Sequence, residues 1–103
     1  HPYIASIREE NTYTITTGHQ LCLMTGPLYF IYKILTVIKI AKTLQGKYAD
    51  KKFIPVFWMA SEDHDFEEIN HVTIFNKKIV WQVDDARGAV GRMATHGINE
   101  VVA

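Results

Sequence analysis

The sequence predicts an α/β fold built on one strand–helix–strand unit, and three observations carry that expectation. Thr12 to Thr17 (TYTITT) is a run rich in β-branched residues between Asn11 and Gly18, which reads as a strand over 12–17. Pro27 suits the first position of a helix, where a missing N–H goes unnoticed. The good helix formers behind it predict a helix over 27–46, stopped by Gly46. Phe53 to Ala60 (FIPVFWMA) is continuously apolar, the pattern of a strand buried on both faces. Pro55 cannot donate to a ladder, so pairing is expected over 55–60, from near Val56. Taken in order these make a βαβ unit with parallel strands and a right-handed crossover.

The remaining elements follow from shorter patterns. Val72 to Phe75 and Lys78 to Val83 flank Asn76-Lys77 and predict a β-hairpin, with strands over 72–75 and 78–83. Residues 84–103 hold Gly88, Gly91 and Gly97 with few periodic apolar positions and read as loop-rich. Trp58 and Trp81 read as core aromatics. The helix carries a further message. Lys33, Thr36, Lys39, Thr43 and Lys47 share one arc with Tyr29 and Tyr32. Phe30, Ile31, Ile34, Leu35, Val37, Ile38, Ala41 and Leu44 cover an arc of roughly 200°, where one sheet face needs only ~100°. Self-association, or cover from further chain, is therefore expected. Opening on His1 rather than methionine also fits residues 1–103 being a single fragment of a larger catalytic core.

Bulk properties narrow the function classes. The chain has 103 residues, 48% apolar and 21% charged, enough for one small folded domain. Its net charge is zero, which leaves no basic field for nucleic acid. Cys22 is the only cysteine, so an internal disulfide is excluded and a reducing compartment fits. The most apolar stretch, 27–44, is interrupted by Lys33, Lys39 and Lys42, whereas a membrane span needs about 20 uncharged residues. No basic-then-apolar leader opens the chain. A soluble, cytoplasmic protein that binds neither membrane nor nucleic acid is the expectation.

Parallel α/β sheets place ligands beyond the carboxyl ends of their strands. Two segments meet that condition, and parallel strands would open both on one sheet edge. In the first, Gly18, His19 and Gln20 offer a close backbone approach, a titratable ring and an amide, while Thr25 and Gly26 precede a helix start suited to an anion. The plain alternative is that Thr25 caps the helix and His19 lies on the surface. The second, Ser61 to Glu68 (SEDHDFEE), holds Glu62, Asp63, His64 and Asp65, which could ligate a divalent metal or share acid–base work. His64 and Glu68 would be one turn apart on a helix. Zinc-protease spacing is absent, and no metal site is assigned. Here the alternative is a helix capped by Ser61 with acidic residues in its first turn. Lys33 could reach a phosphate but suits a solvated helix position, and Gly88–Arg92 could contact an anion through Arg92 but suits a flexible connection. Cys22, between Leu21 and Leu23, reads as a buried thiol.

At these same segments the chain resembles a known family. T-G-H-Q at 17–20, T-G-P-L-Y-x-I-Y-K at 25–33, P-V-F-W-M-A-S-E-D-H-D-F-E-E at 55–68 and G-A-V-G-R at 88–92 are similar to the bacillithiol-biosynthesis cysteine ligases, BshC. The resemblance runs from about Thr12 to the end. It implies a Rossmann-like core within a several-fold longer, dimeric enzyme. The implied reaction joins cysteine to glucosaminyl-malate. A similarity to carboxylate-activating synthetases implies ATP or another nucleotide as cofactor. Gly18-His19-Gln20 then takes the place of those enzymes' histidine signature, but this chain carries His19 where the family commonly has Gln. That shifts His19 from catalysis toward binding. The resemblance assigns no catalytic residue, and the catalytic residues stay unknown.

Three readings emerge. The first is a ligase core piece, inactive alone, in which Gly18, His19, Gln20, Thr25 and Gly26 bind substrate or nucleotide phosphate. In it, Glu62, Asp63, His64 and Asp65 position the cysteine amine or polar parts of the sugar-malate. The second is a metal-dependent hydrolase using residues 61–68 as ligands. The third is a non-catalytic interaction module that uses the wide apolar helix face.

Overall fold

A computed structural model describes residues 2–102, and for Val102 only the backbone. In chain order it contains α1 (Pro2–Ser6), β1 (Thr12–Gln20), a 3-10 turn (Leu23–Thr25), α2 (Leu28–Lys47), β2 (Lys52–Ala60) and α3 (Phe66–Ile69). β3 (His71–Ile74), β4 (Lys77–Val80), a second 3-10 turn (Val90–Arg92) and α4 (Ile98–Val102) follow. β1 and β2 pair in parallel, and β3 and β4 form a separate antiparallel hairpin. The predicted α/β architecture, a βαβ unit followed by a hairpin, is the observed one. The chain divides into two compact units, residues 1–18 with 31–58 and residues 19–30 with 59–103.

The first unit is regular. Along α2, Val37 and Ala41 are buried and Ile34, Ile38 and Leu44 half-buried, one stripe at helical spacing. Ile31 and Leu35 flank that stripe and stay exposed, Leu35 at 55%. On β2 only Ile54 is buried, while Phe57, Trp58 and Met59 are exposed. The expectation of a strand buried on both faces, with Trp58 in the core, is thus corrected: within these residues β2 has little covering it toward its carboxyl end. Pro55 lies inside a strand that starts three residues earlier than expected. Among the described residues β2 pairs only with β1, so one missing donor is tolerated. β1 is longer than expected as well. At Gly18 a Cβ would stand 3.1 Å from the Trp58 Cβ and 3.2 Å from its carbonyl oxygen, so the missing side chain lets the strand pass. Gly18, His19 and Gln20 are therefore strand residues and not a loop. α2 starts one residue after Pro27 and includes Gly46, which does not stop it.

The second unit is irregular but better packed. Leu23, Phe66, Ile69 and Trp81 form its buried core, with Val72, Val90, Met93 and Ile98 packed against them. Phe66 and Trp81 meet edge to face at 5.2 Å, and the Trp81 indole N–H donates to the His96 carbonyl at 3.0 Å. Trp81 is thus a core aromatic as expected. Its backbone N–H donates to the Asn70 carbonyl at 2.7 Å, turning the chain inward, and β4 ends at Val80 instead of 83. The hairpin turn is Phe75-Asn76, one residue earlier than expected, with positive φ at both (49° and 62°). That is the backbone of a type I′ turn, in which Asn is at home and Phe is strained. Phe75 is also 97% exposed. Residues 84–103 are not loop alone, since they hold a 3-10 turn and α4; Ala103 lies outside the described residues.

Candidate functional site

The acidic segment is shaped by local hydrogen bonds. Asp65 caps α3, accepting the Glu68 N–H at 3.2 Å, so the alternative of a helix capped by Ser61 does not hold and His64 lies ahead of the helix. His64 and Glu68 therefore do not share a helical face. Asp63 accepts the Asp65 N–H on Oδ1 at 3.0 Å, an Asx turn. The segment is braced from 88–92. The Val90 N–H donates to the Asp63 carbonyl and the Gly91 N–H to the Ser61 carbonyl, both at 2.8 Å. A Cβ on Gly91 would fall 2.6 Å from the Ser61 Cβ, so only glycine allows this approach.

Gln20 joins the two sequence segments. Its Nε2 donates to Asp63 Oδ2 at 2.8 Å and to Glu68 Oε2 at 3.0 Å, so one amide holds two carboxylates. The Asp65 N–H and the Gln20 amide lead the causes that hold the Asp63 carboxyl below its usual range, with the His64 N–H and charge adding to them. Next to Gln20, His19 Nδ1 lies 3.1 Å from the Gln20 carbonyl oxygen and Nε2 3.1 Å from the Tyr29 hydroxyl. The Cys22 Sγ is 3.5 Å from Nδ1. Burial first, and the Glu68 charge second, push the Cys22 thiol up, which opposes a thiolate nucleophile.

Other candidates stand apart from this group. Thr25 and Met24 have positive φ (70° and 49°), so Thr25 is a strained turn residue and not the helix cap. Glu62, His64 and Arg92 are exposed, and among the described contacts no side-chain hydrogen bond ties them to Gln20. In the first unit, the Lys33 ammonium donates to the Gly18 carbonyl. Tyr29 belongs with the site although composition and spacing did not single it out, and Glu68, which spacing set beside His64, joins it through Gln20 instead. Tyr29 falls inside the T-G-P-L-Y stretch, and Glu68 closes the acidic run.

Three of the groups expected to meet a nucleotide phosphate are engaged or lack a donor. The Gly26 N–H already donates to the Leu23 carbonyl at 2.9 Å, Pro27 has no N–H, and Lys33 is committed to Gly18. A metal-dependent hydrolase is not favoured: among the described residues no three His, Cys, Asp or Glu side chains converge as a ligand set. Nor, among them, is any helix long and apolar enough to cross a membrane.

Comparison with known proteins places these motifs in one family. The family described as "Bacillithiol biosynthesis BshC, N-terminal Rossmann-like domain" matches residues 1–103. A Cytophaga hutchinsonii protein is 57% identical over 99 residues, covering 96% of this chain and 19% of the relative. A Flavobacterium johnsoniae protein is 55% identical over 91 residues, 88% of this chain and 17% of the relative. One from Christiangramia forsetii is 50% identical over 101 residues, 95% and 19%. All three carry the name "Putative cysteine ligase BshC". The chain thus spans less than a fifth of the length of these relatives.

Proposed function

The chain belongs to the BshC family through its N-terminal Rossmann-like domain, and from that premise we propose that it contributes a substrate-binding site to an enzyme joining cysteine to glucosaminyl-malate. The observation that supports this reading is the Gln20 bridge to Asp63 and Glu68, which unites the T-G-H-Q and acidic motifs in one hydrogen-bonded group. Two carboxylates held by one amide make an anionic, acceptor-rich surface. Such a surface suits an ammonium or the hydroxyls of a sugar: the amine of cysteine or the polar parts of the sugar-malate. Joining a carboxyl to an amine requires activation of the carboxyl. The residues of this chain are assigned no step through a nucleotide.

In this reading Gln20 and Asp63 bind and orient, with Glu62, His64 and Asp65 lining the approach. His19 supports Gln20. The 103-residue chain alone gives no turnover. It works in the cytoplasm, and it self-associates through the exposed apolar flank of α2; a clean monomer by light scattering at high concentration refutes that last point. The main test uses the full-length protein carrying Asp63→Ala and His64→Ala. We expect kcat/KM for bacillithiol formation to fall by about tenfold or more, consistent with losing hydrogen bonds to a charged group. A folded double variant with full activity removes the assignment.

A further inference from the structure

We propose that Tyr29, in the first turn of α2, is a positioning residue for this site, holding His19 in the single tautomer that fixes the Gln20 backbone. The inference rests on the reading of Gln20 and Asp63 as substrate-binding. A carbonyl oxygen only accepts, so the 3.1 Å contact from His19 to the Gln20 carbonyl requires the proton on Nδ1. Nε2 of the neutral ring then carries the lone pair, and the Tyr29 hydroxyl at 3.1 Å donates to it. Cys22 fits the same arrangement, since its S–H can donate to the Gln20 carbonyl at 3.6 Å.

The ring is also held by shape. Phe30 meets it edge-on at 5.2 Å and 90°, and the Tyr29 ring lies tilted at 5.3 Å. A continuous path results. The Tyr29 hydroxyl sets the His19 tautomer, Nδ1–H holds the Gln20 carbonyl, and the Gln20 amide holds Asp63 and Glu68. Both nitrogens of His19 are engaged, which accounts for a histidine that supports binding without acting on substrate. Pro27 and Leu28 give the path its sequence origin, because they start the helix where Tyr29 falls in its first turn.

Tyr29→Phe keeps the ring packing and deletes only the hydroxyl, so it separates positioning from packing. In the full-length protein labelled with 15N-histidine, the wild type shows His19 as one Nδ1–H tautomer, and Tyr29→Phe shows a mixture. KM for the sugar-malate rises about three- to tenfold, the scale of one hydrogen bond, while kcat stays within about twofold. His19→Asn keeps a donor near the Gln20 carbonyl without needing Tyr29, so adding Tyr29→Phe to it changes KM no further. An unchanged tautomer and KM in Tyr29→Phe, alongside a Gln20→Ala protein that has lost activity, overturns the role of Tyr29 alone. A folded, fully active Gln20→Ala protein removes the site reading, and the positioning role with it.

Discussion

The two units of this chain solve opposite problems. Residues 1–18 and 31–58 form long, regular elements and leave apolar residues uncovered: Ile31 and Leu35 on α2, Phe57 and Trp58 on β2. Residues 19–30 and 59–103 have short elements and tight turns, yet they bury Leu23, Phe66, Ile69 and Trp81 and hold the hydrogen-bonded candidate site. Regular backbone satisfies itself by its own ladder and leaves its side-chain faces for other chain to cover. Irregular backbone has to find its partners in side chains and turns, which fixes polar groups in defined places. Chemistry collects in the second kind of region for that reason.

Substitutions can break this contrast or sharpen it. Trp81→Ala has the largest expected effect, about 3–5 kcal/mol, because it removes a buried ring and orphans the His96 carbonyl. Hydrogen exchange should show protection collapsing over 59–102 while amides of 31–47 keep theirs; uniform loss would merge the two regions into one cooperative unit. Gly91→Ala should destabilise by about 1–3 kcal/mol, since its Cβ would overlap Ser61, with the shift read in thermal melts. Phe75→Gly should instead stabilise, by about 1 kcal/mol. It relieves a positive φ and loses almost no burial, and a urea midpoint that falls would contradict the strain argument. The smallest effect is a pH dependence at Asp63. Its folded-state pKa lies below the unfolded value of ~4, so its stabilisation is complete above that value and is lost as pH falls through the folded pKa. Asp63→Asn should flatten the acid side of the stability profile, and an unchanged profile would show that the Gln20 and Asp65 contacts do not couple to folding.

What the sequence made legible follows the same division. The βαβ unit and the hairpin were readable because β-branched runs, helix formers and turn residues act locally. The convergence of the two motifs followed from parallel topology, and Gln20 with Asp63 realises it. Lost to sequence reading were local turns that can close in more than one way, and contacts distant in the chain. The Asp65 cap displaced Ser61 because an Asx turn at Asp63 delays the helix. Thr25 ceased to be a cap because the 3-10 turn carries it into positive φ. Trp58 and Trp81 look alike in sequence, but only Trp81 has Phe66 and the His96 carbonyl to receive it. Tyr29 was hidden because its partner, His19, lies ten residues away on another element.

Gly18 has a consequence for how this stretch tolerates change. Its hydrogen atom sets the gap to Trp58, so a methyl at that position would ask Trp58 to give by a few tenths of an ångström. Its neighbours Thr17 and His19 do not bear that restriction. Substitutions at Gly18 should therefore lose stability in step with side-chain volume, alanine least and the largest residues most. The calibre of the strand pair is set by the smallest residue in the chain.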